Sequence, residues 1–142
     1  MKIKTTRFGT ISVTKDKIIH MPFGMLGFSE KKNFIMFRHK ENSPFFWYQS
    51  ADDPMLAFVI TNPFIFMPDY KIDADEAAKA MSWDDIGEDD LELFVVANIP
   101  KGNPKEMTAN LIGPVLINTK KRQAVQMVIS NTDYSHRFPI AV

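Results

Sequence analysis

The residue types that most often carry catalysis or bind metals are thinly spread along this chain. The three histidines, His20, His39 and His136, are far apart, and no two have the spacing of a metal site. The chain has no cysteine, which excludes disulfides and thiolate metal ligands. It also lacks the glycine loops that hold phosphates and the serine motif of hydrolases. The sequence therefore predicts neither an enzyme nor a bound metal or cofactor.

Asp52 and Asp53 are a candidate carboxylate pair, which general acid–base catalysis would need. In a strand, two adjacent side chains point to opposite faces, so such a pair would be separated. In a turn, Asp side chains usually accept hydrogen bonds from the backbone of the turn itself. Because Asp52 and Asp53 precede Pro54 between two apolar runs, we interpret them as turn residues.

Polar amides in apolar surroundings suggest a different chemistry, the capture of a peptide. Asn110 and Asn118 lie among aliphatic residues, although Asn is uncommon in strands. An amide offers a donor and an acceptor together, which suits a partner's backbone. We predict that Asn110, Asn118, Gln49 and Tyr70 line a groove that receives a partner segment. The alternative is that each Asn closes a local turn, which fits Asn118 better because Thr119-Lys-Lys-Arg follows it.

Charge is unevenly distributed, although the formal net charge is zero. The range 73–92 holds nine acidic residues and only Lys79 with positive charge, whereas the first forty residues lean basic. A charge run of this kind is usually a solvated surface. It is also suited to repelling polyanions or engaging a basic partner. Both interpretations stay open for the acidic stretch, whose central aspartates are Asp84, Asp85, Asp89 and Asp90.

The stretch from Phe45 to Asn62 is the pattern around which the other elements are expected to assemble. Two runs rich in aromatic and aliphatic residues flank a short polar segment, which predicts a β-hairpin. A simple antiparallel register places Trp47 opposite Phe58, Phe45 opposite Ile60 and Gln49 opposite Leu56. The face with Phe45, Trp47, Leu56, Phe58 and Ile60 is then expected in the core. The other face is also apolar, so it should be covered by more of the chain or by a partner.

The remaining pattern predicts a mainly all-β protein. Short alternating runs separated by turn residues begin at Ile3 and Ile11, and Phe34–Phe37 is a further strand. Asp73 is a candidate N-cap for one short helix over Ala74–Met81. Later strands are predicted at Leu91–Ile99, Met107–Ile112, Val115–Ile117 and Val125–Ile129. About ten short strands and one helix indicate a small antiparallel β-barrel-like fold, expected as a single domain over residues 1–142.

Composition adds limits on location and partners. Hydrophobic residues make up 45% and charged residues 24%, as in ordinary globular proteins. The N-terminus lacks the apolar segment of a signal peptide, and the longest apolar run, Met55–Ile60, is too short to span a bilayer. We therefore expect a cytoplasmic protein without membrane association. The neutral net charge argues against direct nucleic-acid binding.

A series of short motifs is spaced along almost the whole chain. In order they are Gly24-x-x-Gly27-Phe28, Trp47-Tyr-Gln-Ser50, Leu56-Ala-Phe58, Asn62-Pro63, Pro68-Asp-Tyr70, Thr108-Ala-Asn-Leu111, Gly113-Pro114, Ile117-Asn118, Gln126 and Tyr134-x-x-Arg137-x-Pro139. The series resembles the flagellar assembly factor FliW family.

The resemblance implies a non-enzymatic protein with a β-barrel-like fold. It implies mutually exclusive binding of cytoplasmic flagellin and of the translational regulator CsrA. Binding to CsrA would then free flagellin mRNA for translation, by an allosteric effect on CsrA. The acidic stretch is our candidate for this effect, since carboxylates beside the RNA path of CsrA would repel phosphates without touching the RNA-contacting residues. The protein alone is expected to be a monomer.

Two other classes of function are weighed beside this one. A flavin-binding split-barrel enzyme has a similar size, but the only cluster suited to a phosphate is Lys120-Lys121-Arg122. Direct RNA binding through the basic N-terminal strands and Phe8 conflicts with the neutral net charge.

Overall fold

The structure is a computed structural model that describes residues 1–38, 40–84, 86–130 and 132–140. This part of the chain forms eleven short strands and one α-helix, which confirms the mainly all-β prediction. Four single turns of 3-10 helix lie in the connections, at Lys15–Lys17, Pro63–Ile65, Glu88–Asp90 and Pro104–Glu106. The regular elements are β1 (Lys2–Thr5), β2 (Gly9–Ser12), β3 (Ile19–His20), β4 (Asn33–Arg38), β5 (Phe45–Ser50), β6 (Ala57–Thr61), α1 (Asp75–Met81), β7 (Leu91–Asn98), β8 (Thr108–Ala109), β9 (Val115–Asn118), β10 (Gln123–Gln126) and β11 (Phe138–Pro139).

Seven of these strands close into a ring. The hydrogen-bonded order is β7-β6-β5-β4-β3-β10-β9, and β9 pairs again with β7. The long strand β7 makes this possible because one of its edges serves two partners, β9 along Leu91–Phe94 and β8 along Ala97–Asn98. All ring pairs are antiparallel except β3 with β10, which meet through the single parallel pair of His20 and Gln123. The ring leaves few free strand edges.

The interior of the ring is a dry apolar core. Every ring strand contributes at least one fully buried side chain to one cluster, and the loop after β3 adds Met21 and Met25. Phe34 and Tyr48 stack inside it with ring centroids 4.5 Å apart. The buried members from the strands are Ile19, Phe34, Tyr48, Ile60, Phe94, Val115, Ile117 and Ala124.

Three separate layers cover the outside of the ring. Helix α1 and Trp83 pack on Leu116 and Val125 of β9 and β10. The segments around Tyr70 and Ile140 pack on the outer side of β7 and β8. The hairpin β1–β2 lies over β4 and β5, where its turn is tied to the β5–β6 connection by a hydrogen bond from the N–H of Thr6 to the carbonyl of Pro54. These layers cover most of the ring's outer side chains, which explains why those side chains are apolar.

The predicted β5–β6 hairpin exists, but its predicted register was wrong by one residue. Trp47 is opposite Val59, and Tyr48 is opposite Phe58. The reason lies in the turn, where the hydroxyl of Ser50 accepts the N–H groups of Asp52 and Asp53 and closes a connection of six residues, 51–56. A shift of one residue exchanges the faces of one strand relative to the other.

The core face of this hairpin therefore differs from the predicted one. Phe46 and Tyr48 face the ring interior together with Phe58 and Ile60. The prediction that Phe45 and Trp47 belong to the core was wrong, since both lie on the outer face and are only partly buried. Partly buried Phe45 packs instead against the outer layer around Tyr70.

The bounds of several elements also differ from the predicted ones. Helix α1 starts at Asp75, with Ala74 as its N-cap, because the Asp73 carboxylate accepts the Asp75 N–H in a local turn instead of capping the helix. The strand predicted at 107–112 is reduced to Thr108–Ala109, since an Asn turn follows it directly. The strand predicted at 125–129 starts and ends earlier, at Gln123–Gln126, where it pairs with β9. Strand β7, Leu91–Asn98, agrees with its prediction to one residue.

Candidate partner-binding surface

One strip of the ring's outer face lies between two of the covering layers. It crosses β5, β6 and β7, with the β1–β2 turn on one side and the layer around Tyr70 on the other. A groove of about 620 Å³ follows this strip, and we call it the outer groove. A volume of this size is typical of ligand-binding clefts. The outer groove is lined by Arg7, Phe45, Trp47, Ala57, Phe58, Val59, Val96, Ala97, Asn98 and Ile99.

Small and large side chains alternate in the outer groove and give it its shape. Ala57 contributes only a methyl group and is half-buried, with Val59 and Trp47 on the same face of the sheet. Ala97 also lines the groove but is only 6% exposed. The small side chain of Ala57 therefore leaves space for an apolar side chain of a partner. Ile99, which is 39% exposed, extends the apolar surface beyond the end of β7.

Arg7 is the one charged residue in this lining. Its guanidinium carbon lies 4.5 Å from the centroid of the Trp47 ring, in a cation–π arrangement. Phe8 also contacts Trp47 edge-on, with ring centroids 5.4 Å apart. Its ring centroid lies 4.7 Å from that of Phe37. Since the aromatic face orients the exposed arginine, its N–H groups are available to an acceptor at the rim of the groove.

An apolar loop between β3 and β4 lies at one end of the ring interior. Phe28 contacts the inward-facing Phe58 edge-to-face with ring centroids 5.6 Å apart. Phe23 and Leu26 of this loop are 56% and 57% exposed. The loop is held by a hydrogen bond from the N–H of Leu26 to Oε1 of Gln126 at 2.8 Å. Exposed apolar side chains on a held backbone are typical of interaction surfaces.

The four polar residues predicted to bind a partner do not share one groove in the structure. Gln49 and Asn118 are fully buried, Tyr70 is 3% exposed, and Asn110 is half-buried. Tyr70 and Asn110 meet near residues 110–113, where the Tyr70 hydroxyl donates to the carbonyl of Leu111. Gln49 lies in β5, and Asn118 is the last residue of β9. A direct role of these four residues in partner binding stays a prediction.

The side-chain amides of Asn110, Asn118 and Gln49 each form hydrogen bonds with nearby backbone groups. Oδ1 of Asn110 accepts the N–H of Ile112, and Oδ1 of Asn118 accepts the N–H of Lys121. Nε2 of Gln49 donates to the carbonyls of Ser50 and Leu56 at 2.9 and 3.1 Å. The turn-closing alternative therefore describes both asparagines. Burial raises the pKa of Tyr70 well above its usual range, so Tyr70 remains a neutral donor.

The acidic stretch follows helix α1 and lies over the β9–β10 side of the ring. Asp84 and Asp89 are exposed, while Asp90 is half-buried and accepts the N–H of Gly87 at 3.3 Å. Asp85 lies outside the described residues. Around the ring, β5 is three strands from β10 in one direction and three from β9 in the other. The acidic stretch and the Arg7 side of the outer groove thus belong to opposite sides of the molecule.

Within the described ranges, no cluster of three or more histidine and acidic side chains has the geometry to hold a metal ion. Asp52 and Asp53 are turn residues as predicted, with Asp52 accepting the backbone N–H groups of Lys32 and Asn33 and Asp53 accepting that of Met55. None of the helices in this part of the chain is long and apolar enough to cross a membrane.

Comparison with known proteins decides the family. The model of the FliW protein family matches residues 2–140. The chain belongs to the FliW family. A flagellar assembly factor FliW from Magnetococcus marinus is 42% identical over 140 residues, covering 99% of this chain and 85% of that protein. A second, from Syntrophus aciditrophicus, is 38% identical over 141 residues, covering 99% and 87%.

A crystal structure of the flagellar assembly factor FliW has the same fold as this FliW-family chain. The two superpose with a TM-score of 0.86 at 32% sequence identity, covering 98% of this chain and 96% of the other. The resemblance inferred from the motifs is therefore confirmed. Since these relatives are named as assembly factors, the comparisons favour a non-enzymatic function over a flavin enzyme.

The residues of the outer groove were not singled out from the sequence as a site. The available signal was the second face of the β5–β6 hairpin, which has too few polar residues for a solvated surface. This signal could not identify Arg7 and Asn98, because they lie outside the hairpin sequence. Only the tertiary fold brings them to this face.

Proposed function

We propose that this FliW-family protein works in the cytoplasm as a non-enzymatic partner switch. It binds flagellin or the translational regulator CsrA, one at a time. When flagellin is exported, the protein is released to bind CsrA, and flagellin mRNA is then translated. The observation that supports this best is the outer groove, an apolar surface of about 620 Å³ on a chain whose relatives are flagellar assembly factors.

The experiment is a pair of titrations and one competition. Purified protein is titrated by calorimetry with flagellin and with CsrA from the same organism, and then with CsrA after saturation with flagellin. Mutually exclusive binding predicts heat in both single titrations and a strongly reduced apparent affinity for CsrA in the competition. Failure of either partner to bind, or a stable ternary complex, would contradict the switch.

We propose that the acidic stretch is responsible for the release of RNA from CsrA. Its exposed carboxylates would lie beside the RNA path of CsrA and repel phosphates across a short distance, since screening limits the effect to roughly 10 Å at 0.1 M salt. The exposed positions of Asp84 and Asp89 support this proposal. Repulsion of this kind leaves the RNA-contacting residues of CsrA untouched.

A charge-neutralised variant tests it. Asp84, Asp85, Asp89 and Asp90 are changed together to Asn, which keeps an acceptor for the N–H of Gly87. We expect the variant to bind CsrA but to release less RNA, so that a ternary complex appears in a gel shift. A matched control removes four acids elsewhere on the surface, at Glu41, Asp69, Glu106 and Asp133. Release of RNA by the first variant at the parental level would favour a conformational effect inside CsrA.

A further inference from the structure

We propose that the outer groove receives a partner segment in which an apolar side chain and a carboxylate lie next to each other. The apolar side chain occupies the concave region over Ala57, and the carboxylate pairs with the guanidinium of Arg7. This inference rests on the proposed function, because it assigns the groove to flagellin and leaves the acidic stretch to CsrA.

Charge complementarity identifies the occupant. Arg7 is the only charged side chain in the lining, and none of the other nine lining residues is acidic. A cation held against Trp47 at 4.5 Å has lost part of its hydration, and a carboxylate is the acceptor that its planar fork matches best. An RNA-binding regulator such as CsrA needs a basic surface, which the acidic side of this molecule complements better than the Arg7 side.

The sheet beneath the groove determines how the segment binds. Along Val59–Thr61, strand β6 is paired with β5 on one edge and with β7 on the other. An added strand finds no free edge there, so the segment binds through its side chains. The methyl group of Ala57, with the larger Val59 and Trp47 on the same face, provides the hole for an apolar anchor. Anchors of this kind carry most of the binding energy at protein interfaces.

The two tryptophans of the chain supply an internal reporter and its control. Trp47 lines the groove, whereas Trp83 is 4% exposed beneath α1, where its Nε1–H donates to Oε1 of Gln123. In the variant Trp83→Phe, flagellin should shift the Trp47 emission to shorter wavelength and protect it from quenching by acrylamide. In the variant Trp47→Phe, flagellin should leave the emission of Trp83 unchanged.

Affinity variants test the charge and the hole separately. Arg7→Glu should weaken flagellin binding about tenfold or more, and Ala57→Leu by a similar factor because it fills the hole. Arg38→Glu is the matched control for charge, since Arg38 also lies over an aromatic ring of β5, 5.0 Å from the centroid of Phe46, but does not line the groove. It should change affinity by less than about twofold, which is the scale of a remote surface charge.

The outcomes separate the two proposals. Flagellin binding that is unchanged in both Arg7→Glu and Ala57→Leu, with no response of Trp47, overturns the groove assignment and leaves the partner switch intact. No binding of flagellin by the unmodified protein overturns both. Weaker binding of CsrA but not of flagellin would also overturn the assignment, because the groove would then belong to the other partner. Thermal melting of each variant confirms that the fold is retained.

Discussion

At the scale of single residues, the two tryptophans show how environment decides what a side chain contributes. Trp83 is buried with its indole N–H bonded to Gln123, whereas Trp47 is half-buried on the outer face beneath Arg7. The same residue type therefore stabilises the fold in one place and shapes a surface in the other.

We expect Trp83→Ala to lower the free energy of unfolding by about 3–5 kcal/mol, the range for removing a buried large aromatic. Trp47→Ala should cost about 1–2 kcal/mol, since part of its surface is already in water. Urea titrations of the two variants give both values. Equal losses would mean that Trp47 is as buried as Trp83 and that no open groove lies beside it.

The carboxyl group of Asp52 makes the stability of the fold depend on pH. Partial burial acts to raise its pKa, but hydrogen bonds from the Asn33 side chain and from the N–H groups of Lys32 and Asn33 outweigh it, and the pKa lies below its usual range. A carboxyl whose pKa is depressed in the folded state adds stability above its unfolded pKa. That stability is lost as the pH falls through the folded pKa.

The variant Asp52→Asn should therefore be less stable than the parent by about 1 kcal/mol at neutral pH, a typical value for an exposed charged hydrogen bond. The difference should shrink as the pH falls below about 4, where the parental carboxyl of this type also becomes protonated. Thermal melts at several pH values measure it. A gap that persists undiminished in acid would show that charge on Asp52 is not the cause.

At the scale of elements, the loop between β3 and β4 depends on one backbone conformation. Gly24 has a φ of +65°, in the left-handed region, and a Cβ there would lie 2.7 Å from the carbonyl oxygen of Phe28. Only glycine combines this φ with so close an approach. The loop can therefore seal one end of the ring with Met25 while it exposes Phe23 and Leu26.

Replacing Gly24 with Ala should cost about 2–3 kcal/mol, from the strained φ together with the backbone clash. Gly27→Ala is the matched control, because its φ of +84° is also positive but nothing lies within 4 Å of an added Cβ. It should cost about 1 kcal/mol, the strain alone. Denaturant titration compares the two, and equal losses would show that the clash with the loop backbone is absent.

At the scale of the whole molecule, ring closure separates two surfaces of opposite character. Strands β5 and β9–β10 lie across the ring from each other, so the Arg7 side of the outer groove and the acidic stretch are on different sides of one core. The two partners proposed above would then have separate places to begin contact. Mutual exclusion between them would then come from their sizes or from coupling through the ring.

This separation predicts additivity. The stability changes of Ala57→Leu and of the Asp-to-Asn variant at residues 84, 85, 89 and 90 should sum within about 0.5 kcal/mol when they are combined. Ala57 lies in β6, whereas Asp84, Asp89 and Asp90 lie in the connection between α1 and β7, and these described sites share no hydrogen-bond partner. Urea titrations of both variants and their combination measure the sum. A larger coupling energy would show that the two sides communicate through the core.

Much of this protein was determined by local sequence. Alternating apolar runs, the turn at Gly9 and the polar segment before Pro54 predicted the hairpins, because strand period and turn chemistry are local properties. The spaced motifs predicted the family. Asp52 and Asp53 were correctly assigned to a turn, and β7 was located to within one residue.

The tertiary structure decided the register, the ring closure and the outer groove. Register depends on how many residues the Ser50 turn encloses, and one residue is enough to move Trp47 from the predicted core to the outer face. Ring closure requires β7 to pair with both β8 and β9, which are distant in the chain. The groove exists because three covering layers leave one strip of the ring open, and local sequence carries no information about where such layers end.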